Sequence, residues 1–170
     1  KFIKISAKLG AEGAGSLLGI YSFDELENNY KDTRKRIISG WKELSIYAEK
    51  CGLKYLIWEP MSVKREMGDT IREIKKLQKE LNEHSKIPIL LNLDVDHGNV
   101  VSKNKDDYNP YVILKKLGNF SPSIHLKQKT KDIYFRNIQM EPSSDMIISL
   151  FSFIHTYKCL CKCYIDTEAA

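Results

Sequence analysis

Three polar residues of the chain have side chains that are common metal ligands, and each lies at or near the end of a short apolar run. They are Glu59, Asp94 and His125. Carboxylate oxygens and imidazole nitrogens suit Mn²⁺, Mg²⁺, Co²⁺ or Zn²⁺, and no Cys lies at these positions to favour a softer site. Each residue alone would be interpreted as a capping, surface or core group. Their shared position in successive units favours a common site.

The apolar runs alternate with helical patterns along the chain. We predict strands at 14–18, 55–58, 87–93, 123–126 and 160–165. The helices between them have predicted N-caps at Ser22 or Asp24, at Thr70 (a capping box with Glu73) and at Asn109. Such alternation predicts a parallel sheet buried on both faces. We expect the carboxyl ends of its strands to bring Glu59, Asp94 and His125 to one mouth, because these residues are 35 and 31 residues apart, about one βα unit per step.

The predicted fold class is α/β, a partial (β/α)₈ TIM barrel formed by one domain, residues 1–170. A complete barrel usually has about 250 residues, whereas this chain has 170 and opens on what we interpret as the tail of a helix. We therefore predict that the chain is the C-terminal part of a longer barrel.

The charge and hydropathy of the chain exclude little. Lys and Arg number 27 against 22 Asp and Glu, a net charge of +5. The basic residues are spread along helices, which favours a solvated surface over a nucleic-acid patch and is compatible with small anionic substrates. No apolar run is long enough to span a bilayer, so we predict no membrane partner and, by default, a cytoplasmic location.

Three segments of the chain resemble the xylose-isomerase-like barrel superfamily of sugar-phosphate isomerases and epimerases. They are YLIWEPMS at 55–62, LDVDHG at 93–98 and HLKQ at 125–128. The EPMS and HLKQ pieces look like the branch that epimerises tetrulose phosphates such as erythrulose phosphate. The resemblance runs from near Ala7 to about Glu141. It implies that these segments belong to the fifth, sixth and seventh strands of a barrel whose first three strands precede Lys1.

The resemblance also implies a set of site residues and a cofactor. Members of this family bind one divalent cation (Mn²⁺, Mg²⁺ or Co²⁺) through a Glu, an Asp, a His and a second Glu. The first three match Glu59, Asp94 and His125, and Glu59 would also be a catalytic acid/base. His97 resembles the substrate-binding His of the family, and Lys127 is placed to meet a phosphate or substrate oxygen.

The last predicted strand departs from the family pattern. No Glu stands in the expected context, so Asp166 or Glu168 is left as a candidate fourth ligand. Residues 157–170 form a divergent Cys-rich end. Three cysteines there alternate on one face of the strand and lack the C-x-x-C spacing of a structural zinc site (Cys159, Cys161 and Cys163).

The function that this resemblance implies is metal-dependent epimerisation or isomerisation of a ketose or sugar phosphate through an enediolate. Three alternatives stay open: an aldose–ketose isomerase on the same fold, an enzyme related to abasic-site endonucleases, and an inactive truncated chain. The expected partner is a small sugar phosphate, a homo-oligomer is compatible with the sequence, and nucleic acid is disfavoured.

Overall fold

The structure, a computed structural model, describes residues 1–126 and 162–165. Five strands in this part of the chain form one parallel sheet, in sequential order: β1 (Gly13–Leu17), β2 (Tyr55–Glu59), β3 (Ile89–Asp94), β4 (Ser123–Leu126) and β5 (Lys162–Ile165). The α-helices are α1 (Phe2–Lys8), α2 (Phe23–Asn28), α3 (Tyr30–Lys50), α4 (Ile71–Asn82) and α5 (Pro110–Leu117). The parallel sheet and its alternation with helices confirm the predicted α/β class.

The two faces of the sheet differ in what covers them. On β2, Leu56 and Trp58 are 2% and 0% exposed and belong to the hydrophobic core. Tyr55, Ile57 and Glu59 alternate with them, are only half-buried, and line a cavity on the other face. Because side chains alternate along a strand, the core face and the cavity face are fixed together.

The close approach of β1 to β2 depends on glycine. A Cβ atom at Gly15 would collide with the backbone carbonyl of Ile57 on β2. A side chain at position 15 would therefore force the two strands apart, and glycine keeps this part of the cavity wall flat.

The sequence between Ser22 and Gly52 forms two helices, not the single helix that the apolar pattern predicted. Ser22 caps α2 in a complete capping box with Glu25, which identifies it as the cap instead of Asp24. The chain bends at Asn29, whose φ and ψ of −128° and 21° are not helical. Asn readily leaves helical conformation because its side chain competes for local hydrogen bonds.

The predicted capping box at the start of α4 is half formed. Thr70 accepts a hydrogen bond from the backbone N–H of Glu73 at 3.3 Å, as expected. The Glu73 carboxylate does not return the bond to Thr70, because it accepts from the backbone N–H of Gly68 at 3.3 Å and lies 3.5 Å from Arg34. Farther along α4, the side chains of Ile71, Ile74, Leu77 and Leu81 are buried at helical spacing.

Side chains near the end of α4 bind the first residue of β3. Asn82 donates to the carbonyl of Ile89 at 2.8 Å and accepts from its N–H at 3.0 Å. Gln78 donates to the same carbonyl at 2.6 Å and accepts from the indole of Trp58 at 2.9 Å. We call Gln78 and Asn82 the amide clamp. It satisfies buried polar groups of both β3 and β2.

The α-helix after β3, α5, begins after the predicted N-cap. Asn109 caps α5 by accepting from two backbone N–H groups, Pro110 is its first residue, and Gly118 is its C-cap. Among residues 1–126 and 162–165, no helix is both long and apolar enough to cross a membrane.

Candidate metal centre

The sheet brings Glu59, Asp94 and His125 to one place, as the spacing predicted. One ligand atom from each can be chosen so that all three atoms lie within 4.8 Å of one another. Nδ1 of His125 is 3.6 Å from Oε2 of Glu59 and 3.8 Å from Oδ2 of Asp94. Asp94 and His125 are direct partners in the β3–β4 pairing, which explains how residues 31 positions apart meet.

The three side chains differ in burial. The exposed fraction is 34% for His125, 20% for Glu59 and 0% for Asp94. Oδ1 of Asp94 accepts a hydrogen bond from the backbone N–H of Asp96 at 2.9 Å. A fully buried carboxylate is costly unless hydrogen bonds or a nearby cation compensate it. The position of Asp94 therefore favours binding of positive charge.

His97 lies beside Glu59 of β2 and Asp94 of β3. Its Nδ1 is 3.1 Å from Oε1 of Glu59 and 3.1 Å from the carbonyl of Pro60, and its Nε2 is 3.7 Å from Oδ2 of Asp94. Because Nδ1 faces two acceptors, this nitrogen carries a proton. The contacts agree with the predicted placement of His97 at the site.

Glu59 and His97 each shift the pKa of the other. Burial alone would raise the pKa of Glu59, but hydrogen bonds from His97 and Asn92 outweigh it and hold that pKa below its ordinary value. Burial would lower the pKa of His97, and the neighbouring carboxylates of Glu59 and Asp94 raise it above its ordinary value. The site thus favours an ionised Glu59.

Asn92 is a site residue that the sequence reasoning missed. Its side-chain nitrogen is 3.1 Å from Oε2 of Glu59 and 3.2 and 3.1 Å from the two ring nitrogens of His125. A signal was present, since Asn92 is a polar residue in an apolar strand, two positions before Asp94 and therefore on the same face.

The loops that follow β2 and β3 are joined above the site. The backbone N–H of Gly98 donates to the Ser62 hydroxyl at 3.3 Å, and the Asn99 amide donates to Oδ2 of Asp69 at 2.8 Å. Asp107 accepts from the first backbone N–H of α4 at 2.9 Å. These bonds hold the segment that carries His97 against the segment after Glu59.

The site opens into a cavity of about 500 Å³. Glu59, Asn92 and His125 line one end of it, and Gly15 and Ile57 belong to its wall. Pockets that bind small molecules typically have volumes of about 300–1,000 Å³. The cavity is therefore large enough for a small organic substrate next to Glu59 and His125, the two candidate ligands that line it.

The three residues fit a divalent cation. Two carboxylates and one imidazole are hard and borderline donors of the kind that bind Mn²⁺, Mg²⁺ or Co²⁺. Ligand bonds of about 2.1 Å place ligand atoms at most about 4.2 Å apart. The observed separations of 3.6 and 3.8 Å from His125 are within this limit, and the 4.8 Å bound on the cluster requires only a small side-chain adjustment.

Several predicted site residues lie outside the described residues. These are Lys127 and the alternative fourth ligands Asp166 and Glu168. Two of the three cysteines of the divergent end, Cys159 and Cys161, also lie outside the described residues. Residues 162–165 do form a strand, within the range predicted for the last strand, and it pairs in parallel with β4.

The chain is similar to known proteins in both sequence and fold. It is 37% identical to D-erythrulose 1-phosphate 3-epimerase from Brucella abortus (strain 2308) over 134 residues, which are 77% of this chain and 43% of that protein. The chain thus spans less than half the length of this curated relative. No family model matches the chain.

Two crystal structures have the same fold. A protein assigned as a xylose isomerase from Rhodospirillum rubrum superposes with a TM-score of 0.77 at 18% identity, over 99% of this chain and 59% of that one. A xylose isomerase domain protein from Planctomyces limnophilus gives a TM-score of 0.63 at 13% identity, over 98% and 56%. In fold the chain is similar to part of each of these two proteins, and in sequence it is similar to D-erythrulose 1-phosphate 3-epimerase, which confirms the resemblance that the strand-end segments indicated.

Proposed function

We propose that the chain is the metal-binding part of an epimerase or isomerase that acts on a ketose phosphate of the tetrulose type. The observation that carries the proposal is the convergence of Glu59, Asp94 and His125 beside a cavity. The similarity to D-erythrulose 1-phosphate 3-epimerase supports the substrate class. Each of the three residues is a ligand of one divalent cation in this proposal.

The reaction requires removal of a proton from a carbon next to a carbonyl group. Glu59 is the acid/base that takes this proton, since its carboxylate is ionised and borders the cavity. The cation, when bound, stabilises negative charge that develops on substrate oxygens. A second acid must return a proton for epimerisation, and Asp166 or Glu168 is our candidate both for this group and for the fourth ligand.

His97 and Lys127 have substrate-binding roles in this proposal. Nδ1 of His97 is engaged by Glu59 and Pro60, which leaves Nε2 as its atom for contact with a substrate hydroxyl. Lys127 follows β4 by one residue and is a candidate for contact with the phosphate.

The sequence similarity favours epimerisation over the other reactions considered. An aldose–ketose isomerase would pass through the same type of enediolate, and a product assay separates the two. Abasic-site endonucleases require a cluster of several metals, whereas the described residues contain a single cluster of three ligands. The cytoplasmic location and a homo-oligomeric state stay predictions from the sequence.

Calorimetric titration of the purified chain with Mn²⁺ tests the metal centre. We expect one ion per chain for the wild type and loss of binding in Asp94→Asn, which keeps the shape of the side chain but removes its charge. Asp106→Asn is the matched control, because Asp106 is an exposed carboxylate paired with Lys116 at 2.7 Å, outside the cluster. A folded wild-type chain that binds no Mn²⁺, or equal binding by Asp94→Asn, contradicts the proposal.

A further inference from the structure

We infer that Asn92 is a positioning residue that holds the Glu59 carboxylate and the His125 ring in the arrangement that binds the cation. This inference rests on the proposed function. Asn92 belongs to β3, which lies between β2 and β4 in the sheet, and its side chain contacts Glu59 on β2 and His125 on β4. Asn92 is 8% exposed, so its contacts are shielded from solvent.

The pairing of the strands explains why Asn92 occupies this position. Trp58 is paired with Leu91, so the next residues, Glu59 and Asn92, are neighbours across the β2–β3 pair. Asn92 is also the partner of Ser123 in the β3–β4 pair. The side chain is therefore level with Glu59, one layer below the Asp94–His125 pair.

The hydrogen bonds of Asn92 determine the direction of its amide. The Ser123 hydroxyl donates to Oδ1 of Asn92 at 2.5 Å, which directs the side-chain nitrogen towards Glu59. A reversed amide would place Oδ1 against Oε2 of Glu59, where two acceptor oxygens would repel each other. Only the observed direction satisfies both neighbours.

Both oxygens of Glu59 are consequently held. Asn92 donates to Oε2 at 3.1 Å, and His97 lies 3.1 Å from Oε1. A carboxylate oxygen can accept more than one bond, so each keeps capacity for a cation or a substrate proton. The plane of the carboxylate is fixed before either arrives, which reduces the conformational entropy lost on binding.

The contact between Asn92 and His125 differs from the hydrogen bond that Asn92 donates to Glu59. The Asn92 nitrogen is almost equally distant from both ring nitrogens, at 3.2 and 3.1 Å. Such a position places the amide against the imidazole ring instead of on one lone pair. Asn92 therefore limits the movement of the ring and leaves a ring nitrogen available as a ligand.

Mn²⁺ titration of Asn92→Leu tests the positioning role. Leu is similar in size to Asn but has no donor, and loss of groups that orient metal ligands typically lowers metal affinity about 10- to 100-fold. We expect a loss in this range. Ser123→Ala, which removes only the bond that directs the amide, should give a smaller loss in the same direction, and it serves as the second variant if Asn92→Leu does not fold.

Ser121→Ala is the structural control. The Ser121 hydroxyl accepts from the N–H of Leu93 and lies within hydrogen-bond distance of the carbonyls of Ser123 (2.6 Å) and Leu91 (3.0 Å), so its removal weakens the β3–β4 region without removing a side-chain contact to a candidate ligand. We expect lower thermal stability and unchanged Mn²⁺ affinity. Equal losses of affinity in Ser121→Ala and Asn92→Leu would overturn the inference, because general destabilisation would then account for both.

Crystal structures of the wild type and Asn92→Leu without added metal separate this inference from the proposed function. We expect the Glu59 carboxylate to leave its position opposite His97 in the variant. An unchanged carboxylate would overturn the positioning role. A wild-type chain that binds no Mn²⁺ would refute the metal centre, and the two crystal structures would still decide whether Asn92 holds Glu59.

Discussion

Nδ1 of His97 lies 3.1 Å from Oε1 of Glu59 and equally close to the carbonyl oxygen of Pro60, so this ring nitrogen is engaged by contacts within the protein. The two nitrogens of the ring should therefore have separable roles. His97→Asn keeps a donor near the position of Nδ1 and loses Nε2, whereas His97→Leu loses both.

We expect His97→Asn to raise KM for the sugar phosphate about 10-fold or more while Mn²⁺ affinity stays within about threefold, because a lost substrate hydrogen bond is worth roughly 1–3 kcal/mol. His97→Leu should weaken both. The measurements are steady-state kinetics of epimerisation and Mn²⁺ titration. If His97→Asn leaves KM unchanged, Nε2 does not contact the substrate.

Glu59→Gln tests the acid/base role. The substitution keeps the size of the side chain but removes the group that accepts the proton, so we expect turnover to fall by about 10²–10⁴-fold while the sugar phosphate still binds. Glu12→Gln is a control at the same cavity, since Glu12 lines it and is paired with Lys54 at 2.6 Å. Turnover retained by Glu59→Gln would remove Glu59 from the catalytic role.

Two glycine substitutions should have opposite effects on stability. Gly15→Ala places a Cβ atom against the carbonyl of Ile57, and we expect a loss of about 2 kcal/mol or more, since overpacking typically costs 1–3 kcal/mol and here the obstacle is backbone. Gly40→Ala, inside α3 with open space around the new Cβ, should stabilise the protein by about 0.5–1 kcal/mol. Urea denaturation measures both, and a loss of stability in Gly40→Ala equal to that in Gly15→Ala would contradict the distinction.

Glu73 should make stability dependent on pH near neutrality. Burial, together with the hydrogen bond and charge of Asp69, raises the pKa of Glu73 from 4.5 to about 7. Between these values the unfolded chain loses the proton and the folded chain keeps it, so stability falls as pH rises from about 4.5 to about 7.

Glu73→Gln removes this titration. We expect the free energy of unfolding of the variant, measured by urea denaturation, to change less between pH 5 and pH 8 than that of the wild type, by on the order of 1–2 kcal/mol after allowance for the solvent that reaches the carboxylate. Glu83→Gln is the control. Glu83 is an exposed Glu just beyond the same helix, so this substitution should leave the wild-type pH dependence unchanged. Parallel pH profiles of the wild type and Glu73→Gln would contradict the prediction.

The order of strands and the convergence of Glu59, Asp94 and His125 could be predicted from the sequence because both follow from periodicity. A strand end and a step of one βα unit are local patterns, and parallel geometry converts them into proximity. The division of the helix at Asn29 was missed, because one non-helical residue hardly disturbs an apolar repeat.

Long-range polar contacts could not be predicted in the same way. The carboxylate of Glu73 satisfies Gly68 and Arg34 instead of completing its capping box, and the choice depends on groups that only the fold brings near. The contact of Asn92 with Glu59 likewise depends on which residues of β2 and β3 are paired. Sequence spacing predicted which candidate ligands converge but not the residues that contact them.

The amide clamp at the start of β3 bears on the candidate metal centre through the register of this strand. A shift of β3 by one residue would exchange its two faces, and Leu91 and Leu93 would then occupy the face that now carries Asn92 and Asp94. Asn82 prevents this by binding both backbone groups of Ile89, five residues before Asp94. Asn82, a residue of α4, thus helps to determine which face of β3 carries Asn92 and Asp94.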